Sequence, residues 1–398
     1  MKVIVATEHR FLRDRSGVVY SLTGGREYRF WQRYLSAFDE VVVVARVYEV
    51  SELRLRRVSA ASGPNVHFFA LPSYGKLWTF PRMLRRLATT NDAIILRVPG
   101  VIGTLLHGEL AKHGKPYALE VVGDPWQALS PIAEGHISPV YFIARLWLTY
   151  ALKRQCKMAS AIAYVTESYL QNRYPPANSS LSIAVSDVDL PPSAFLLRSW
   201  GERSKTGQFN LITVASLYKR YKGVDVLIDA VAQCVKEGLN LRLVVVGGGK
   251  YQKSFEAQSI SKGLERHIHF VGQVPAGEPV RRYLDEADLF VLASRAEGLP
   301  RAMLEAMARG LPCIGTTVGG IPELLPPEDL VPPNDAKALA DKIAEILNDP
   351  ERMARMSRRN YQKALEYREE VLQERRAAFY RRVREVTEEW QKQRGIRW

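Results

Sequence analysis

From Ala287 to Pro312 the chain reads Ala-Asp-Leu-Phe-Val-Leu-Ala-Ser-Arg-Ala-Glu-Gly-Leu-Pro-Arg-Ala-Met-Leu-Glu-Ala-Met-Ala-Arg-Gly-Leu-Pro. An apolar strand runs out into Ser294, a carboxylate follows at Glu297, Gly298-Leu299-Pro300 opens a helix, and Glu305 sits on that helix. Pro300 fits the first helical turn, and the free backbone N–H groups of such an entrance suit anionic or hydroxyl-rich ligands. Two acids beside it can accept hydrogen bonds from sugar hydroxyls or stabilise a cationic centre. Either glutamate taken alone is equally a solvated loop acid or a helix-surface acid.

Other constellations support less. Gly247-Gly248-Gly249-Lys250 follows a strand, but the third glycine of G-x-G-x-x-G falls on Gln252 and the order G-x-x-x-x-G-K-[ST] is absent. Dinucleotide and P-loop chemistry are therefore weakly supported. The turn either brings backbone close to a nucleotide or is simply a tight strand-to-helix turn. Asp187-Val188-Asp189 has a metal-binding D-x-D spacing, yet Pro191-Pro192 follows closely in a linker-like stretch, so these read as turn residues. His267 and His269 read as strand positions rather than ligands, and no metal is expected. Cys156, Cys234 and Cys313 are far apart and odd in number, which suits a reducing cytosol better than a disulfide framework.

The stretch Glu297–Glu305 resembles the E-G-[FL]-[GP]-x-x-x-x-E signature of retaining GT-B-fold glycosyltransferases of family four (glycosyl transferases group 1). Val318-Gly319-Gly320-Ile321-Pro322-Glu323-Leu324-Leu325 is similar to that family's G-G-x-P-E segment, and Val214–Asp225 to its strand-end loop closing on Lys-Gly. The resemblance is specific over residues 210–330. It implies a sugar transfer, with retention, from a nucleotide diphosphate sugar to an acceptor hydroxyl, and no cofactor. By position, Lys222 would neutralise the donor diphosphate, Glu305 would hold the ribose, and Glu297 with Gly298, Leu299 and Pro300 would hold the transferred sugar. Pro300 itself has no N–H to offer. Gly247, Gly248 and Gly272 would line the nucleotide. Ser216 stands where the family usually has an Arg, so Lys219 or Arg220 would have to substitute. In the first half, Gly17 would approach the donor phosphate and Asp124 would face the sugar, although Asp124-Pro125 also reads as a turn. A nucleotide-sugar epimerase of the same fold and a catalytically inert nucleotide-binding subunit are the alternative readings.

These residues need strands to carry them. Apolar runs at Val3–Ala6, Val41–Ala45, Val66–Ala70, Ala93–Leu96, Tyr117–Val121, Ala161–Val165 and Leu181–Val185 suit parallel strands buried on both faces. A second series follows: strands at Asn210–Ala215, Leu241–Val246, Ile268–Val271, Leu289–Leu292 and Cys313–Thr316, helices at Val224–Glu237 and Ala302–Arg309. The expectation is an α/β GT-B protein, two Rossmann-like doubly wound domains facing a central cleft. Residues 1–190 form the acceptor-side domain, 191–207 a linker, 208–370 the nucleotide-sugar domain and 371–398 a C-terminal helix returning to the first domain.

The chain has 398 residues with 46% apolar and 25% charged content, enough for two cores and unlike a disordered or collagen-like chain. Its formal charge of +14 is uneven. Residues 1–190 hold 23 Lys and Arg against 15 Asp and Glu, residues 191–350 hold 19 of each, and the tail from 351 holds 14 against 8. No zinc-finger, RNP or basic-zipper pattern accompanies the charge, so nucleic acid is not the expected partner. An anionic membrane or a phosphorylated substrate is. No run reaches the ~18 apolar residues of a bilayer span. Val140–Leu152 comes nearest and reads as a buried helix in preference to an interfacial one. The expected setting is cytoplasmic, peripheral on the inner face of the membrane, with a lipid-linked or oligosaccharide acceptor.

Overall fold

The computed structural model describes residues 1–21, 25–50, 59–131, 138–178, 180–197 and 207–395. Most of the expected linker, 198–206, lies outside them. The chain divides into two compact units: residues 1–125 with 146–185 and 373–398, and residues 126–145 with 186–372. Residues 126–145, which the sequence reading assigns to the first domain, cluster with the second unit.

The first unit is built on β1 (Lys2–Arg13), β2 (Val19–Ser21), β3 (Glu40–Glu49), β4 (Val66–Leu71), β5 (Ala93–Val98), β6 (Ala118–Val121), β7 (Ala161–Tyr164) and β8 (Leu181–Ala184). Their order is β4-β3-β1-β5-β6-β7-β8, all parallel, with β2 antiparallel on β1. β1 is three times the expected length because a register shift between Ala6 and Arg10 lets it continue beside β3 as far as Arg13. The bulge and the β2 hairpin were not legible in the apolar run alone.

β5 is buried at every position, as continuous apolar strands between neighbours should be. One residue breaks that rule: Arg97 lies in register with Glu120 of β6. Glu120 pairs with Arg97 and with Arg33 at 3.2 Å and accepts from the Tyr34 hydroxyl at 2.9 Å, so both buried charges are compensated. The C-terminal helix, Glu369–Gln393, adds Phe379, Tyr380 and Val383 to the same core as Val3, Val5, Val41, Ile95, Trp31 and Tyr34.

The second unit carries β9 (Phe209–Val214), β10 (Leu241–Val246), β11 (Ile268–Gly272), β12 (Leu289–Leu292), β13 (Cys313–Thr316) and β14 (Leu330–Val331) in the order β11-β10-β9-β12-β13-β14. That is the doubly wound sequence 3-2-1-4-5-6. Parallel neighbours require crossovers, and the helices Val224–Lys236, Gln252–Ser261, Glu278–Glu286 and Arg301–Ala308 intervene between β9 and β13, while Ala336–Leu347 follows β14. Leu211, Val245, Leu289 and Ile314 from the strands meet Val231 and Ile343 from the helices in one core. In this topology the strand order reverses about β9, which opens a crevice beyond the carboxyl ends of β9 and β12.

Candidate active site

Four of the loops at the carboxyl edge of the second sheet are held together by close backbone approach: 215–223 after β9, 247–251 after β10, 293–300 after β12 and 317–320 after β13. Leu217 N donates to Gly248 O and Tyr251 N to Leu217 O, both at 3.0 Å. A Cβ on Gly247 would lie 1.9 Å from the Ala215 carbonyl oxygen, and one on Gly249 would lie 2.2 Å from the Leu217 carbonyl carbon. Glycine is therefore demanded here by loop-on-loop packing. Gly272, at φ 81°, accepts from Gly247 N at 2.9 Å and has open space where a side chain would project.

Gly223 ends the loop after β9 in the left-handed region, at φ 67°, and caps the helix Val224–Lys236. Its neighbour Lys222 is directed at the loop after β12, where its Nζ lies 2.6 Å from Glu297 Oε1. Ser294, itself wholly buried, donates to the same oxygen at 2.7 Å. The Lys222 ammonium is disfavoured by burial. The Glu297 carboxylate, Tyr221 and the hydrogen bond to Glu297 outweigh that cost and hold its pKa above the usual lysine value.

Two residues to which the sequence reading gave no role in the site position this pair. Arg295 forms a fork with Asp225, at 2.8 and 2.9 Å, and donates to Arg220 O at 2.7 Å, while its own N–H meets Tyr221 O at 2.6 Å. The end of β12 is thereby stapled to the Lys222 loop. Gly319, at φ 58°, packs so tightly under Glu297 that a Cβ would lie 2.2 Å from its carbonyl oxygen, and Gly320 N donates to Gly298 O at 2.7 Å. The Gly-Gly of the 318–325 segment was legible in the sequence; its work as the floor beneath Glu297 was not.

The entrance to the helix Arg301–Ala308 has Pro300 as its N-cap. The amides of Gly298, Leu299, Arg301 and Ala302 donate to no described residue, and they lie at the positive end of the helix dipole. Glu305, half-buried one turn on, makes no hydrogen bond or ion pair with a described residue. Burial raises its pKa and Asp189 adds to this, against the opposing charges of Arg301 and Arg281. Arg301 likewise has no bonded partner among the described residues, though its charge acts on both Lys222 and Glu305. Arg220 leans its guanidinium 5.6 Å from the Tyr251 ring centre, with a buried Nε that bonds to no described residue. Ser216 and Lys219 are exposed.

Two expected residues of the first unit have other occupations. Asp124 is fully buried, paired with Arg173 at 2.8 Å and accepting from Tyr169 Oη at 2.8 Å and from Tyr174 Oη. A carboxylate so thoroughly engaged is an internal anchor rather than a sugar-facing group. Gly17 belongs to the β1–β2 hairpin: its φ of 89° serves a turn in which Gly17 N donates to Asp14 O at 3.2 Å. This early loop is a hairpin turn because β1 runs on past Ala6 to pair with β2. The carboxylate found there is Glu8, which accepts from Ile102 N at 2.6 Å at the start of the helix Val101–Lys112. Among the described residues no group of three or more His, Cys, Asp or Glu could hold a metal ion. All three cysteines are buried, and burial pushes the thiols of Cys156 and Cys234 up to about 12.

Residues 199–363 match the family model described as glycosyl transferases group 1. Protein CapJ of Staphylococcus aureus is 28% identical over 326 residues, covering 80% of each chain. The amylovoran biosynthesis glycosyltransferase AmsK of Erwinia amylovora is 36% identical over 139 residues, 33% of this chain and 34% of its own length. Among solved structures, Anabaena HepE in complex with UDP-glucose superposes with a TM-score of 0.64 at 17% identity, over 98% of this chain and 100% of HepE. With the fold, the strand-end loops and these likenesses together, the chain is a glycosyltransferase of GT-B fold whose residues 199–363 match the group 1 family.

Proposed function

We propose that the protein is a retaining glycosyltransferase that moves a sugar from a nucleotide diphosphate sugar to a hydroxyl of a lipid-linked or polysaccharide acceptor, in capsule, exopolysaccharide or lipopolysaccharide assembly. The observation that carries this reading is the buried Lys222–Glu297 pair beside four amides that donate to no described residue, at the crevice where doubly wound sheets bind nucleotides. The name of AmsK supports the polysaccharide setting, and the UDP-glucose bound to HepE supports a uridine nucleotide donor.

The geometry suggests a partner exchange. Before donor binds, Lys222 and Glu297 neutralise each other. A diphosphate offers Lys222 a stronger anion, and Glu297, held in place by Ser294, is freed to accept from hydroxyls of the sugar. Arg301 and Arg220 supply the further positive charge that Ser216 does not. As the sugar–phosphate bond breaks, Lys222 offsets the charge growing on the leaving diphosphate, and the amides at the helix entrance steady the oxocarbenium-like sugar's oxygens. The acceptor attacks from the face that the diphosphate leaves, and its proton passes to a phosphate oxygen. Glu305 holds the nucleotide's ribose hydroxyls.

A thermal-shift panel of nucleoside diphosphates and their sugars tests the donor half: one nucleotide series should raise Tm by several degrees at saturating concentration. Incubation of that donor with no acceptor should leave it intact. Formation of an epimer would overturn the transferase reading, and turnover with no member of the panel would return the inert subunit.

A further inference from the structure

We propose that the helix Pro139–Met158 is a docking element that seats this protein on an anionic phospholipid bilayer. The sequence reading favours burial for Val140–Leu152, and the structure reverses it. Val140 is 73% exposed, Ile143 66% and Tyr150 68%, with Phe142, Leu146 and Trp147 exposed beside them. The buried residues, Ala151, Leu152, Gln155 and Cys156, occupy the other side and only the last two turns.

The exposed positions follow helical spacing, so they form one continuous face. For its first three turns that face is aliphatic and aromatic; for the last two it continues as exposed Lys153, Arg154 and Lys157. The 20-residue helix contains no Asp or Glu. Its inner side is tethered where Arg145 stacks 3.7 Å from the Trp126 ring and donates to Trp126 O at 2.7 Å.

This order of chemistry fits a lipid surface. Aliphatic side chains enter the acyl boundary, Trp and Tyr settle at the headgroup level, and the cations meet lipid phosphates at one end. A second copy of the same face would set these cations against each other if parallel or against its partner's apolar turns if antiparallel, with no acid on the helix to meet them in either case. An exposed apolar face of this size is unusual on a monomer without such a use. A stretch of the first unit has the same character: Trp78, 76% exposed, sits with exposed Leu77 and Lys76 ahead of the exposed Arg82, Arg85 and Arg86, and no acid occurs from Ser73 to Asn91.

The proposal deepens the lipid-linked acceptor reading above, and docking itself needs no donor. The test is co-sedimentation of the full chain with phosphatidylglycerol-containing vesicles and with pure phosphatidylcholine vesicles, at low and high salt. The wild type should bind the anionic vesicles and release with salt. The double variant I143E/W147E should lose roughly tenfold or more in partitioning, and K153E/R154E/K157E should weaken binding and flatten its salt dependence. All these residues are exposed, so the nucleotide-induced thermal shift should be retained by every variant. That retention separates failed docking from a failed donor site. Absence of vesicle binding by the wild type, undiminished binding by I143E/W147E, or a concentration-dependent dimer abolished by I143E/W147E would each overturn the proposal.

Discussion

Lys222 and Glu297 share a single buried contact, so neither can be removed innocently. Lys222→Met leaves a carboxylate 7% exposed without its cation, a change that costs on the order of 3 kcal/mol. We expect transfer to fall by roughly 100-fold or more and Tm to fall with it. Lys222→Met combined with Glu297→Gln should recover Tm but not activity, measured by calorimetry and donor turnover. A double variant that regained turnover would remove both residues from the chemistry. Because its folded pKa is raised, the stability that Lys222 contributes is fully present below the usual lysine value of 10.5 and is lost only as pH rises through the folded value. Glu305 has the opposite economy. Its raised pKa means that its charged form is held at a cost, so its contribution to stability is best below 4.5 and declines as pH rises through the folded value. Glu305→Gln should therefore raise Tm at neutral pH, by an amount that shrinks toward pH 4.5, while weakening nucleotide binding. An unchanged nucleotide affinity would withdraw the ribose assignment.

At the scale of elements, the loops after β9, β10, β12 and β13 act as one surface because glycines let their backbones touch. Gly319→Ala sets a methyl 2.2 Å from the Glu297 carbonyl oxygen at a positive φ and must displace the loop that carries the pair. Gly272→Ala, also at positive φ, meets open space and pays only the backbone strain, about 1 kcal/mol. We expect Gly319→Ala to reduce donor turnover by about tenfold or more and Gly272→Ala to retain most of it; the reverse ranking would show that the floor beneath Glu297 is not what positions it. Apolar runs and Gly/Pro punctuation made most strands and the helix at Arg301–Ala308 legible, within a residue or two at each end. They did not reveal β2, the long β1 or β14, because a short edge strand and a bulge are decided by the neighbour that they pair with. Gly17 and Asp124 were assigned by resemblance, and what the fold adds is local: a hairpin turn around Gly17 and a set of partners around the Asp124 carboxylate that no window of sequence shows.

For the whole molecule, the C-terminal helix links chain end to chain start, since Tyr380 and Phe379 are core residues of the unit that begins with β1. Tyr380→Ala opens a cavity there and should destabilise that unit by roughly 3 kcal/mol, leaving the nucleotide-dependent rise of the second unit's transition in place. Calorimetry with and without nucleotide would check this, and loss of the nucleotide response would show that donor binding depends on the first unit's integrity. The uneven charge was visible in local composition and the α/β class in the apolar runs, while the family signature and the candidate donor residues came from a resemblance that short motifs carry. Only the tertiary structure decided that Lys222 and Glu297, 75 positions apart, form one pair, that Asp124 is spent inside the first unit, and that the aromatic face after Pro139 points outward. The physical reason is common to all three: whether a charge is compensated or an apolar face covered depends on what the rest of the chain brings against it, and no window of sequence contains that.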